Sequence, residues 1–64
     1  MNTYQERVIA EKKDNDERAT KLSDLIGSSP LFDHIDPAEQ ERMKVQNALM
    51  WQLSEALGAR IAAF

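Results

Sequence analysis

The chain has 64 residues, a formal net charge of −3, one histidine and no cysteine, so disulfides are excluded and no metal site is expected. A domain of this size buries only about 60% of the surface that its unfolded chain exposes, which leaves self-association as the way to complete a core. The acidic balance argues against binding to duplex DNA, and no apolar run approaches the roughly 20 residues that span a membrane.

The first predicted element is a helix over about residues 3–26. Thr3 and Glu6 fit a capping box, in which each side chain satisfies a free backbone N–H of the first turn. Gly27 suits the left-handed position that ends many helices, and Pro30 lies just beyond it. Opposite charges four residues apart support the helix. These pairs are Arg7 with Glu11, Lys13 with Glu17, Asp14 with Arg18, and Glu17 with Lys21.

A connector over residues 27–36 leads to a second predicted helix over about 37–62. Ser29 and Pro30 fit the first positions of a short helical turn. Asp36 and Pro37 repeat this start signal for the second helix. The predicted fold is therefore all-α. Residues 1–64 are predicted to form a single domain, an antiparallel two-helix hairpin with a helical turn in its connector, which is expected to assemble into a homo-oligomeric helical bundle.

Apolar residues at helical spacing define the predicted core. They are Val8, Leu22, Ile26, Met43, Met50, Leu53, Leu57 and Ile61. In an antiparallel hairpin the numbers of paired residues sum to about 65, so that Asn15 faces Met50 in the middle of the seam. We interpret Asn15 as a residue that fixes the register, with ligand contact as the alternative. Lys12, also on the seam, is expected to extend its ammonium group to solvent.

The apolar surface of the second helix is wider than one partner helix can cover. Trp51 lies at its edge together with the small residues Ala48, Gly58 and Ala62, which allow another backbone to approach closely. We interpret these four residues as a subunit interface. The alternative is a single exposed tryptophan beside ordinary alanines.

No catalytic arrangement is recognisable in the sequence. It has no cysteine nucleophile, no histidine beside a reactive serine and no glycine-rich phosphate loop. His34 follows Asp33 in the connector and is interpreted as an exposed or capping residue. The chain is therefore expected not to be an enzyme and to need no cofactor or metal.

One group of residues is a candidate ligand site. The antiparallel pairing brings Tyr4 and Arg7, near the start of the first helix, close to Arg60 near the end of the second. Arginine binds phosphate through paired hydrogen bonds, and a tyrosine ring can stack on a nucleobase. These residues predict a site for a small anionic nucleotide, with surface ion pairing as the alternative.

Three segments resemble a known family. They are YQERVIAEKK over residues 4–13, DPAEQERM over 36–43 and LGARIAAF over 57–64. Together they are similar to short accessory proteins of tailed phages, including crAss-like phages. Members tend to carry leucine where this chain has Asn15. Membership implies a phage product that acts in the cytoplasm of the infected bacterial host.

Some small helical phage proteins are oligomeric sponges that sequester the cyclic nucleotide signals of bacterial immune systems. By this analogy the expected function is anti-defence binding of a cyclic nucleotide. One alternative is a protein-interaction module that inhibits or scaffolds a host or phage protein through the face around Trp51. Another is a minor component of the virion or its assembly. Neither duplex DNA nor a membrane is an expected partner.

Overall fold

A computed structural model describes residues 2–64, and Met1 lies outside them. Two long helices, α1 (Thr3–Ser28) and α2 (Pro37–Ala62), are joined by a 3₁₀ helix over Pro30–His34. Residues 2–64 contain no strand, so the prediction of an all-helical chain with two helices and a short helical turn is confirmed. The helices pack antiparallel into a rod that measures 45 × 15 × 14 Å. Over the same residues, no helix has the length and hydropathy of a membrane span.

The capping box of α1 uses Asn2 and Gln5 rather than the predicted Thr3 and Glu6. The Gln5 backbone N–H donates to Asn2 Oδ1 at 2.9 Å, and the Asn2 backbone N–H donates to Gln5 Oε1 at 3.4 Å. Asparagine is at least as effective as threonine at this position, so the helix begins one residue earlier than the motif indicates. Glu6 then lies in the first turn, where a negative charge complements the helix dipole.

The predicted left-handed end of α1 at Gly27 is wrong, because Gly27 stays helical and has no positive φ. The helix ends at Ser28, since Ser29 precedes a proline and takes the extended backbone that this position favours (φ −89°, ψ 130°). Ser29 also starts the 3₁₀ helix, where its Oγ accepts from the Leu31 backbone N–H at 3.2 Å. One residue thus ends α1 and caps the next element.

The core between the helices is small. The buried apolar side chains are Val8, Ala19, Phe32 and Leu57. Other residues predicted to form the core are only half-buried, namely Leu22, Ile26, Met43, Met50 and Ile61. Phe32 closes the base of the hairpin, where Gln40 Nε2 donates to the Phe32 and Ile35 carbonyl oxygens at 2.7 and 2.9 Å.

Leu53 does not belong to the core, contrary to prediction, because it is 42% exposed. Ser54 takes the inward position next to it and is buried. Lys12 Nζ donates to Ser54 Oγ at 3.2 Å and to Asp16 Oδ2 at 2.6 Å. These bonds require Ser54 to face α1, and Leu53 is turned outward as a result. They also keep the Lys12 ammonium in the seam instead of in solvent.

Side-chain amides fix the register of the two helices. Asn15 Nδ2 donates to the Met50 carbonyl oxygen at 2.8 Å, and Asn47 Nδ2 donates to the Ala19 carbonyl oxygen at 3.0 Å. Asn15 therefore faces Met50, as the antiparallel pairing predicts. An amide can reach a helix carbonyl at only one axial alignment, so these two bonds specify one pairing of the helices where apolar contacts alone allow several.

Asp16 is the carboxylate among the polar side chains between the two helices, which we call the polar seam. Its hydrogen bond with the Lys12 ammonium holds the pKa of its carboxyl below the ordinary 3.8, and the Ser54 hydroxyl acts in the same direction. Burial opposes both, because Asp16 Oδ1 is buried and has no hydrogen-bond partner among residues 2–64. The charged carboxylate is nevertheless the form that the folded seam favours.

We expect Leu57→Ala to lower the free energy of unfolding by about 2–5 kcal/mol, because it removes one of the few fully buried side chains and leaves a cavity. Leu31→Ala is the control: Leu31 is exposed, and its loss should change stability by less than about 0.5 kcal/mol. Urea denaturation followed by helical circular dichroism at one protein concentration measures both. Equal losses in the two variants would contradict the assignment of the core.

We expect acid to destabilise the hairpin through Asp16. Because its pKa is lower in the folded chain than in the unfolded chain, its contribution is complete well above pH 3.8 and is lost as the pH falls through the folded-state pKa. The melting temperature of Asp16→Asn should therefore depend less on pH than that of the parent between about pH 5 and about pH 2. Asp24→Asn removes one charge from an exposed position of α1 and should keep the parent's slope.

Candidate functional site

The open end of the hairpin joins Tyr4, in the first turn of α1, to Arg60, in the last turns of α2. Arg60 Nη2 donates to Tyr4 Oη at 2.6 Å, and the guanidinium carbon lies 5.6 Å from the centroid of the Tyr4 ring. The two residues are 56 positions apart in sequence. The antiparallel pairing that the sequence predicts therefore places them side by side.

Phe64 adds a second aromatic ring to this end. Its ring centroid is 6.2 Å from that of Tyr4, and the two ring planes are inclined by 53°. The rings are exposed, Tyr4 by 58% and Phe64 by 40%. A planar ligand can therefore reach either ring, and stacking of a nucleobase on an aromatic side chain contributes about 1–3 kcal/mol. We call Tyr4, Arg60 and Phe64 the terminal cluster.

The charge of Arg60 is not neutralised by a carboxylate within residues 2–64. The ion pairs in this part of the chain involve other cations, namely Lys12, Arg18, Arg42 and Lys44. A guanidinium group has five N–H donors, and the bond to Tyr4 uses one of them. Because Arg60 is exposed, its remaining donors are available to an anion.

Arg7, the third predicted ligand residue, lies one turn beyond Tyr4 on α1 and is exposed. The predicted ion pair with Glu11 is not formed, and Arg7 has no ion pair with any carboxylate of residues 2–64. It also makes no hydrogen bond to Tyr4 or Arg60. The structure thus brings Tyr4 and Arg60 into contact and leaves Arg7 beside them with an unpaired charge.

The four predicted interface residues do not form one outward face. Gly58 lies in the seam, because a Cβ added to it would stand 3.3 Å from Lys12 Cε. Trp51 is exposed at the edge of the seam, where its Nε1 donates to Ser23 Oγ at 3.0 Å, and Ser23 Oγ donates to Asn47 Oδ1 at 2.8 Å. Of the four residues, only Ala48 and Ala62 are exposed and make no such contact with α1.

The most exposed of the large apolar side chains of α2 lie on the other flank of the helix. Val45, Leu49 and Leu53 follow one another at intervals of four residues and are exposed by 61, 57 and 42%. Sequence analysis indicates only that the apolar surface of the second helix is wide, and it does not separate this row from the seam. Its four-residue spacing is a signal that the sequence contains. We call these three residues the outer stripe.

Two other features do not offer a comparable site. An open groove of about 470 Å³ is lined by Lys13, Asp16, Glu17, Thr20 and Lys21, all from α1. Its lining mixes acidic and basic side chains and has no aromatic ring, so it offers no surface for a base. No group of three metal-binding side chains occurs in the part of the chain that the structure describes.

Comparison with known proteins places these features in context. The model of a family described as Sequestin matches residues 2–63, which is nearly the whole chain. The match includes Tyr4 and Arg60 of the terminal cluster and ends one residue before Phe64. No curated protein and no solved structure matches the chain.

Proposed function

Because the chain belongs to the Sequestin family, we propose that it is a non-enzymatic protein that sequesters a cyclic nucleotide signal of bacterial immunity in the cytoplasm of a phage-infected cell. The family name describes a sequestering, and hence binding, role. The nature of the ligand and the phage context are parts of the proposal. The observation that carries it is the terminal cluster, which combines an arginine without a carboxylate partner and two exposed rings.

The cluster supplies the two interactions that a nucleotide requires. The free N–H groups of Arg60 match phosphate oxygens, and the hydrogen bond to Tyr4 holds the guanidinium in one orientation before the ligand arrives. The exposed faces of Tyr4 and Phe64 match the π-face of a base. A nucleotide joins its base and its phosphate through one ribose, so a site for both needs a ring and a cation close together, as the Tyr4 ring and the guanidinium are here at 5.6 Å.

The charge of the site favours a ligand with more than one phosphate. Arg60 and Arg7 supply two positive charges at the same end of the hairpin, and neither is paired with a carboxylate of residues 2–64. A cyclic dinucleotide carries two phosphodiester groups, each with one negative charge. The net charge of −3 does not oppose this match, because salt screens exposed charges beyond about 8–10 Å.

Binding without turnover is also part of the proposal. Hydrolysis of a phosphodiester needs a group that activates water, usually a histidine, a carboxylate or a metal ion. Among residues 2–64, no carboxylate lies within 4 Å of Arg60. His34 belongs to the 3₁₀ helix at the opposite end of the hairpin.

We further propose that the protein acts as a homo-oligomer. Four buried apolar side chains form the core of a chain of 64 residues, while the outer stripe remains exposed. Domains this small commonly complete their burial of apolar surface by association.

We expect Arg60→Ala to weaken the affinity for a cyclic nucleotide by about 10- to 150-fold, the equivalent of losing one charged hydrogen bond of about 1.5–3 kcal/mol. Arg7→Ala should weaken it for the same reason. Tyr4→Ala should lose stacking, whereas Tyr4→Phe keeps the ring and loses only the bond that orients Arg60. Titration calorimetry at matched salt measures these affinities.

The control is Arg42→Ala, which removes an arginine that pairs with Glu39 at the other end of α2 and should leave the affinity unchanged. The ligands to test are cyclic di- and trinucleotides and the isomers of cyclic ADP-ribose. If the parent protein binds none of them at about tens of micromolar, sequestration should be abandoned. A protein partner contacted through the exposed Trp51 is then the better explanation.

A further inference from the structure

The outer stripe lacks a partner within the hairpin. Val45, Leu49 and Leu53 form one row along α2 and retain 42–61% of their surface in contact with solvent. The seam cannot accommodate them, because the hydrogen bond between Lys12 and Ser54 fixes which side of α2 faces α1. The apolar row therefore points away from the fold as a consequence of its polar seam.

The segment around the stripe is free of charge. Residues 45–53 contain no Asp, Glu, Lys or Arg, although 30% of the chain is charged. The centres of protein interfaces are depleted in charged residues in the same way. A copy of this segment can meet it without burying a charge and without placing like charges face to face, which a partner rich in charged side chains cannot do.

The spacing of the stripe is symmetric about Leu49, with one apolar residue four positions before it and one four positions after it. Most homodimers are two-fold symmetric and use the same patch on both copies. A two-fold axis close to Leu49 pairs this residue with itself and the flanking Val45 and Leu53 with apolar positions of the other copy. The pattern is thus complementary to itself.

The dimensions of the hairpin fit such an interface. Its long face measures 45 × 15 Å, a projected area of roughly 700 Å². The accessible surface of such a face exceeds its projected area, so a contact along most of its length can bury the about 800 Å² that each partner contributes to a stable protein interface. From these observations we propose that the outer stripe binds a second copy of this chain, with the two-fold axis close to Leu49. This proposal specifies the surface of the homo-oligomer included in the proposed function.

The interface also reaches the terminal cluster. Ala56 and Arg60 follow Leu53 at three and seven residues, on the same flank of α2. A second copy on the stripe therefore stands beside Arg60 and shields part of its approach from solvent. The effect of this shielding on ligand binding rests on the proposed nucleotide site, whereas the dimer does not require that site.

The test compares Leu49→Glu with Ala48→Glu by sedimentation equilibrium at micromolar concentration. Both variants add one negative charge at neighbouring exposed positions, but only Leu49 belongs to the stripe. We expect the parent to have at least twice the mass of the 7.3 kDa chain. Leu49→Glu should weaken the dimer at least 100-fold, and Ala48→Glu should keep the parent's mass.

Disulfide formation tests the same surface without disrupting it. The chain has no cysteine, so Leu49→Cys and Ala48→Cys each introduce a single thiol. We expect Leu49→Cys to form a covalent dimer on oxidation, because residues beside a two-fold axis come within the 4.4–6.8 Å between Cα atoms that a disulfide spans. Ala48→Cys should not form one at dilute concentration.

Any of three results would overturn the proposal. The parent could be a monomer, Leu49→Glu and Ala48→Glu could sediment with the same mass, or Ala48→Cys could crosslink more readily than Leu49→Cys. Calorimetry with cyclic nucleotides separates this result from the fate of the proposed function. If the protein dimerises through Leu49 and binds no nucleotide, the proposed interface is supported and sequestration is rejected. If it is a monomer that binds a nucleotide, the interface is rejected and nucleotide binding is supported.

Discussion

The polar seam determines most of what this hairpin presents to its surroundings. The Lys12 ammonium bridges Asp16 and Ser54, and Asn15 bonds to the Met50 carbonyl oxygen, so that both the rotation and the axial position of α2 are set by hydrogen bonds. Apolar contacts determine the rotation and axial position of α2 less strongly, because the hydrophobic effect is not directional and the core is small. The exposure of the outer stripe and the position of Arg60 beside Tyr4 both follow from this alignment.

The fold could be predicted because its signals are local or periodic. Proline and N-capping residues delimit the elements, and the sum rule for antiparallel helices places Asn15 against Met50 and Tyr4 near Arg60. The errors arose where polar contacts between the helices overrule hydrophobicity. Hydrophobicity favours Leu53 over Ser54 as an inward residue, yet a partner for Lys12 is needed there. Gly58 was assigned outward for its small size, whereas that small size accommodates the stem of Lys12.

The candidate site was only partly predictable for a related reason. Sequence spacing brings side chains to one end of a hairpin, but it does not decide which of them touch. Arg60 donates to Tyr4, and Tyr4 has Phe64 as an aromatic neighbour, whereas Arg7 contacts none of them through a hydrogen bond. Membership of the Sequestin family agrees with a binding role at such a site. The chemistry of the ligand has to be inferred from the residues themselves, which offer a guanidinium beside one aromatic ring and a second ring next to the first.

The distance in sequence between Tyr4 and Arg60 restricts how the length of this chain can change. Their contact spans 56 positions, almost all of them helical. An insertion of one residue within α2 between Ser54 and Arg60 would rotate the guanidinium by about 100° and shift it by about 1.5 Å, although every residue of the cluster would still be present. An insertion in the connector leaves the seam and the cluster in phase. Variation in length among functional relatives is therefore expected between the helices and not within them.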